Sequence, residues 1–231
     1  MKKLVFLLSL PFLLMALNVP VDFDLEFREA MDFIHQNQRT IHQVAKQFDG
    51  PQEEALAVVA PELLRYNLFR DLLETTALEL AYVQYGAEVA DFSIGPFQMK
   101  PSFTASVEEF VLADEQLKKC YGDAILRIPF HHKAIRQARL DFMESLEGQL
   151  YYAFLFAQMM SEGHDESQFT SHKDKLSYWA TAYNCGHTRP TSELMQCMHQ
   201  PVFPYGADFD IVQYSYAAWS QLFYQHLLKK P

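Results

Sequence analysis

Three separated groups of residues have types and spacing that could do chemistry together. Glu62 ends the apolar stretch Ala55-Leu56-Ala57-Val58-Val59-Ala60-Pro61. A carboxyl taken out of water by such neighbours resists ionisation, so its pKa rises. A carboxylic acid still protonated near neutral pH can donate its proton to a reacting group. The second group is Ser93-Ile94-Gly95-Pro96-Phe97-Gln98-Met99-Lys100-Pro101-Ser102. Here Gly95 lets the backbone approach a ligand closely, and Gln98 carries an amide that both donates and accepts. The third is Ala182-Tyr183-Asn184-Cys185-Gly186, which sets a phenol and an amide beside a glycine.

The second and third strings resemble the G-hydrophobic-x-Q-hydrophobic-x-P and A-Y-N-A-G motifs of soluble lytic transglycosylases and goose-type lysozymes. Their order, their separation and the acidic helix before them carry the resemblance, which covers about residues 55–189. It implies a mainly α, lysozyme-like helical domain with a glycan-binding cleft. It implies an exported peptidoglycan lytic transglycosylase acting on glycan strands, cleaving the β-1,4 bond between N-acetylmuramic acid and N-acetylglucosamine. The same resemblance makes Glu62 the catalytic residue, and Ser93, Gly95, Gln98, Met99, Tyr183 and Asn184 the substrate-binding residues. It calls for no cofactor and no metal.

In that family one Glu, at the end of an apolar helix, protonates the glycosidic oxygen. The substrate's own N-acetyl group assists at the anomeric carbon. The same Glu then acts as base on the C6 hydroxyl of the muramic acid, closing a 1,6-anhydro ring without water. By this resemblance Tyr183 supplies the hydroxyl that holds the acid, and Asn184 contacts the glycan. Gln98 binds the sugar or orients neighbouring groups, while Ser93 and Met99 line the wall. Cys185 replaces the usual alanine, a small residue for a small one.

Alternatives remain open at this level. Glu62 stands farther upstream of Gln98 than the family usually has it, and Glu79 fits that spacing better. Glu79, however, sits within a helical run, where charged residues ordinarily face water. Choosing Glu62 implies an inserted helix between Leu64 and Val89. Asp91, next to the loop, is a candidate second carboxylate; it would suit a lysozyme-type hydrolase that uses water in place of the C6 hydroxyl. A catalytically inactive, glycan-binding module is the reading from another class.

Helices must position these groups. Asp24 to Phe48 places Ile34, Ile41, Val44 and Phe48 on one face, and Asp49-Gly50-Pro51 ends it. Glu53 to Tyr66 reads as a buried helix, kinked or ended at Pro61 because proline lacks a backbone donor. Leu72 to Gln84 reads as another. Ala90 to Pro101 is a loop, and Ser106-Val107-Glu108-Glu109 has the form of a capping box opening a helix to about Cys120. His132 to Glu147 is amphipathic. Leu150 to Met160 is apolar nearly all round, as a central core helix should be. Lys175 to Tyr183 runs into Asn184, and Ile211 to Leu228 closes the chain. At most a small strand pair, around Ala87–Ile94, is expected.

Met1-Lys2-Lys3 followed by an apolar run to Leu17, broken only by Ser9 and Pro11, has the form of a secretory signal over residues 1–18. The run is short for a spanning helix, which takes about 20 residues. Residues 19–231 then form a single domain, placed by this reading in the periplasm or cell envelope with no stable membrane span. Formal charge is −10, and −12 once Lys2 and Lys3 are removed. Such acidity speaks against nucleic-acid binding and leaves a sugar ligand open. Of the three cysteines, Cys185 and Cys197 are the plausible pair, with three buried thiols the equal alternative. His131-His132 reads as a solvated helix start, and His187 and His199 lack metal-ligand spacing. Tyr214, Tyr216, Trp219 and Tyr224 read as core and rim.

Overall fold

The computed structural model of the chain describes residues 24–69, 75–126, 132–163, 169–204 and 213–229. The expected signal segment, residues 1–18, lies outside the described residues. Along the chain come α1 (Asp24–Gln36), α2 (Gln38–Ala45), α3 (Gln52–Val59), α4 (Glu62–Phe69), α5 (Thr75–Tyr85) and α6 (Pro101–Ala113). They are followed by α7 (Glu115–Ile125), α8 (Lys133–Glu144), α9 (Leu146–Glu162), α10 (His172–Cys185), α11 (Thr191–Cys197) and α12 (Tyr216–Leu227). The fold is mainly α. Among the described residues there is no strand, and the expected pair around Ala87–Ile94 reduces to an isolated bridge between Ile94 and Met99; a second joins Phe203 and Tyr214.

The apolar sequence of α9 explains its place. Leu150, Tyr152, Leu155 and Phe156 are all buried, and α2, α3, α6 and α8 pack around it. On the other side α10 and α12 lie together, and both rest on α3. So α3 is clasped between α9 and the α10–α12 pair, which is why Ala55 to Ala60 are buried without exception.

Local chemistry sets the boundaries. Ser145 caps α9 by accepting from Gly148 N at 3.0 Å, and Ser215 caps α12 through Ala218 N at 3.2 Å. The expected break at Pro61 is present: α3 ends at Val59 and α4 begins at Glu62. Two expectations change. The run Asp24–Phe48 is two helices, divided at Asn37, whose Nδ2 donates to Phe33 O at 2.8 Å; a short amide competes there with the helical ladder. The capping box at Ser106 is not formed. The helix starts earlier, at Pro101, whose fixed φ suits the first helical position. Ser106 therefore lies inside α6, with Oγ donating to Phe103 O at 2.7 Å. The cap falls instead at Asp114, which accepts from Gln116 N and Leu117 N and starts α7.

One polar cluster is sealed within this core. Arg139 on α8 forks onto Glu108 on α6, with Nε to Oε1 at 2.7 Å and Nη2 to Oε2 at 2.9 Å. Its Nη1 donates to the Tyr82 hydroxyl at 3.0 Å, and Tyr152 donates to Glu108 Oε1 at 2.8 Å. Burial works against the charge on Arg139, but the bonds and charge of Glu108 prevail and push its pKa above the ordinary guanidinium value.

Candidate functional site

Glu62 is the first residue of α4, immediately after the Pro61 break. Only 4% of it is exposed. Its Oε2 has no hydrogen-bond partner, and the nearest cation, Arg65 Nη1, is 3.6 Å away, too far for a hydrogen bond. Burial pushes the carboxyl up to about 7 from its ordinary 4.5, against the charges of Arg65 and Lys100 and a hydrogen bond from Tyr216. Burial is the winning effect because neither cation closes on the carboxylate as Arg139 closes on Glu108.

The Tyr216 hydroxyl adjoins this carboxyl and also lies 3.0 Å from Val58 O, to which it donates. Val58 is in the last turn of α3, where carbonyls lack helical donors. A hydroxyl has one hydrogen and two lone pairs. While that hydrogen serves Val58, Tyr216 can accept from protonated Glu62. Turned to the carboxylate, it stabilises the ionised form.

The loop between α5 and α6 is closed by paired bonds between Ile94 and Met99, N to O at 2.9 and 3.0 Å. Gln149, buried in α9, fastens it from behind. Its Nε2 donates to Ile94 O at 2.9 Å and to Met143 O at 2.7 Å, and its Oε1 accepts from Phe97 N at 2.8 Å. A Cβ at Gly95 would collide with that amide. Gln98 takes a left-handed φ of 51°, uncommon for a residue with a side chain, and its Nε2 ties back to Gly95 O at 2.8 Å.

The third string ends α10. Tyr183 donates its hydroxyl hydrogen to Phe97 O at 2.7 Å, so it links α10 to the loop. Its own pKa lies well above the ordinary phenol value, through burial and the charge of Glu62. Gly186 then turns the chain with a φ of 101°.

A surface cavity of about 330 Å³ lies where these elements meet. Glu62, Ser93, Gln98, Met99, Tyr183 and Asn184 all line it, with Arg65, Lys100 and His187. Glu79 does not; it sits on α5, partly exposed, within the field of Glu144. Asp91 does line the cavity, but both its oxygens serve the first turn of α6, accepting from Ser102 N at 2.9 Å and Ser102 Oγ at 2.7 Å. The tyrosine that lowers the Glu62 pKa is Tyr216, whose hydroxyl donates to Val58 O, whereas the Tyr183 hydroxyl is bonded to Phe97 O. The sequence marks neither Arg65 nor Gln149 and assigns Tyr216 to core and rim. Arg65, three residues after Glu62 and so on the same helical face, carried the one available signal. Among the described residues no group of His, Cys, Asp or Glu could hold a metal ion.

No family model matches the chain, and neither the curated proteins nor the solved structures compared with it give a match. The site's own geometry therefore carries the functional argument.

Proposed function

We propose that this protein is a peptidoglycan lytic transglycosylase with Glu62 as its single general acid and base. The observation that carries the reading is a buried carboxyl, raised to about 7, that shares one cavity with the loop and the α10 end. At neutral pH about half of such a group holds its proton. That balance suits an acid that must give a proton and take one back.

In the first step the Glu62 carboxyl protonates the glycosidic oxygen as the bond to the anomeric carbon breaks. The N-acetyl oxygen of the muramic acid closes on that carbon and carries its positive charge. In the second step the Glu62 carboxylate takes the proton of the C6 hydroxyl. The freed oxygen attacks the anomeric carbon and displaces the N-acetyl oxygen, so a 1,6-anhydro ring forms and Glu62 is protonated again. A hydroxyl already tethered to the ring has the advantage of proximity over solvent. Asn184 and Gln98 offer neutral hydrogen-bonding groups from two walls.

The engagement of Asp91 with α6 favours this route over hydrolysis, which needs a carboxylate free to activate water. Digestion of purified peptidoglycan followed by mass spectrometry tests the proposal. Anhydro products, lighter by one water than hydrolysed ones, are expected. Fully hydrated reducing ends would instead assign a lysozyme-type hydrolase, and glycan binding without products an inactive binding module.

A further inference from the structure

Cys185 and Cys197 stand at the ends of two helices that pack together, and the Cys197 thiol acts on the ionisation of Cys185. Cys185 is the last residue of α10 and Cys197 the last of α11. Between them the chain reverses through Gly186, and α11 packs back against α10. The two side chains are each partly buried and each a free thiol, and the nearby Cys197 thiol helps to raise the pKa of Cys185. Cys120, by contrast, is exposed on α7.

We propose that Cys185 and Cys197 are a disulfide-forming pair that fastens the α10–α11 corner, with an external disulfide, small or protein-borne, as the oxidant. One thiolate attacks the oxidant's disulfide, forming a mixed disulfide and expelling half of the oxidant as thiolate. The second thiolate of the pair displaces the other half. Two protons and two electrons leave the pair, and the oxidant departs as two thiols. The corner so fastened carries Asn184, Gly186, His187 and Thr188, which form one wall of the cavity. Burial pushes the Cys185 thiol up to about 11, so little of it is thiolate at neutral pH and the exchange accelerates in alkali. This inference does not depend on the proposed function.

The test uses the full chain, reduced and then exposed to oxidised glutathione at pH 8. Remaining thiols are alkylated under denaturing conditions before intact-mass measurement. One alkylated thiol, Cys120, is expected, and two in Cys197→Ser. The sequence Arg189-Pro190 resists trypsin, but a protease cutting after Glu193 opens the chain between the two cysteines. The resulting peptides should stay joined until reduction. Three alkylated thiols, a cross-link through Cys120, or glutathione adducts that never resolve would overturn the pairing. Reduction should lower Tm by roughly 5 °C, the size expected for so short a loop. A bonded pair with unchanged Tm would overturn the fastening role.

Discussion

Glu62 and Glu108 are both buried glutamates, and they show what surroundings do to the same carboxyl. Glu108 meets a bidentate arginine and the Tyr152 hydroxyl, so each of its oxygens is bonded. Glu62 meets one arginine at 3.6 Å and keeps an oxygen without a partner. The first arrangement joins α6 to α8 and α9. The second disfavours charge and leaves a proton available in a cavity. Burial without matched donors is what raises the Glu62 pKa.

The contrast can be broken most severely at Glu108. Glu108→Gln leaves the Arg139 charge buried and poorly compensated, which should cost about 3–5 kcal/mol of stability. Denaturant unfolding measures it, and a loss under about 1 kcal/mol would remove the pair from the structural account. At Glu62 the sign is opposite. Its folded pKa is raised, so the stability it contributes is complete below its unfolded value near 4.5 and is lost as pH rises through about 7. The rise corresponds to roughly 3 kcal/mol at alkaline pH. Glu62→Gln should therefore match the parent's stability at pH 4 and exceed it by up to roughly 3 kcal/mol at pH 9. Equal stability at both pH values would show that the carboxyl is not raised.

Smaller effects sharpen the same contrast. The fall of kcat/KM with rising pH should be centred near pH 7, where Glu62 loses its proton. Tyr216→Phe removes the hydroxyl that lowers the Glu62 pKa, so that limb should move upward, by about one pH unit or less. A downward move would mean that Tyr216 chiefly accepts from the protonated acid.

Much of this arrangement was legible in sequence wherever one local rule dominated. The apolar girth of α9 marked the core, and Pro61 marked the helix break that puts Glu62 at the head of α4. The helix expected over Leu72 to Gln84 is α5, which runs Thr75–Tyr85. Boundaries failed where two rules competed, as at Ser106, where Pro101 starts the helix first, and at Asn37, where a side chain interrupts a continuous pattern. Partners distant along the chain were invisible. Tyr216 bonds Val58 across 158 positions, and Gln149 holds a loop more than fifty residues away. Neither has a local signature, since a buried glutamine in an apolar helix and a tyrosine at a helix start look ordinary. Gly95 shows the reverse case: its need for space was readable, but what fills that space was not.

The central claim is that Glu62 is the proton donor, and its isosteric replacement tests it most directly. Turnover of purified peptidoglycan should be measured at pH 6 for the parent and Glu62→Gln, with folding checked by circular dichroism and binding by sedimentation with the insoluble glycan. The account predicts a fall of at least about 100-fold in turnover, the usual worth of general acid–base catalysis, with fold and binding retained. Near-parental turnover in Glu62→Gln, above all alongside a loss in Glu79→Gln, would contradict it.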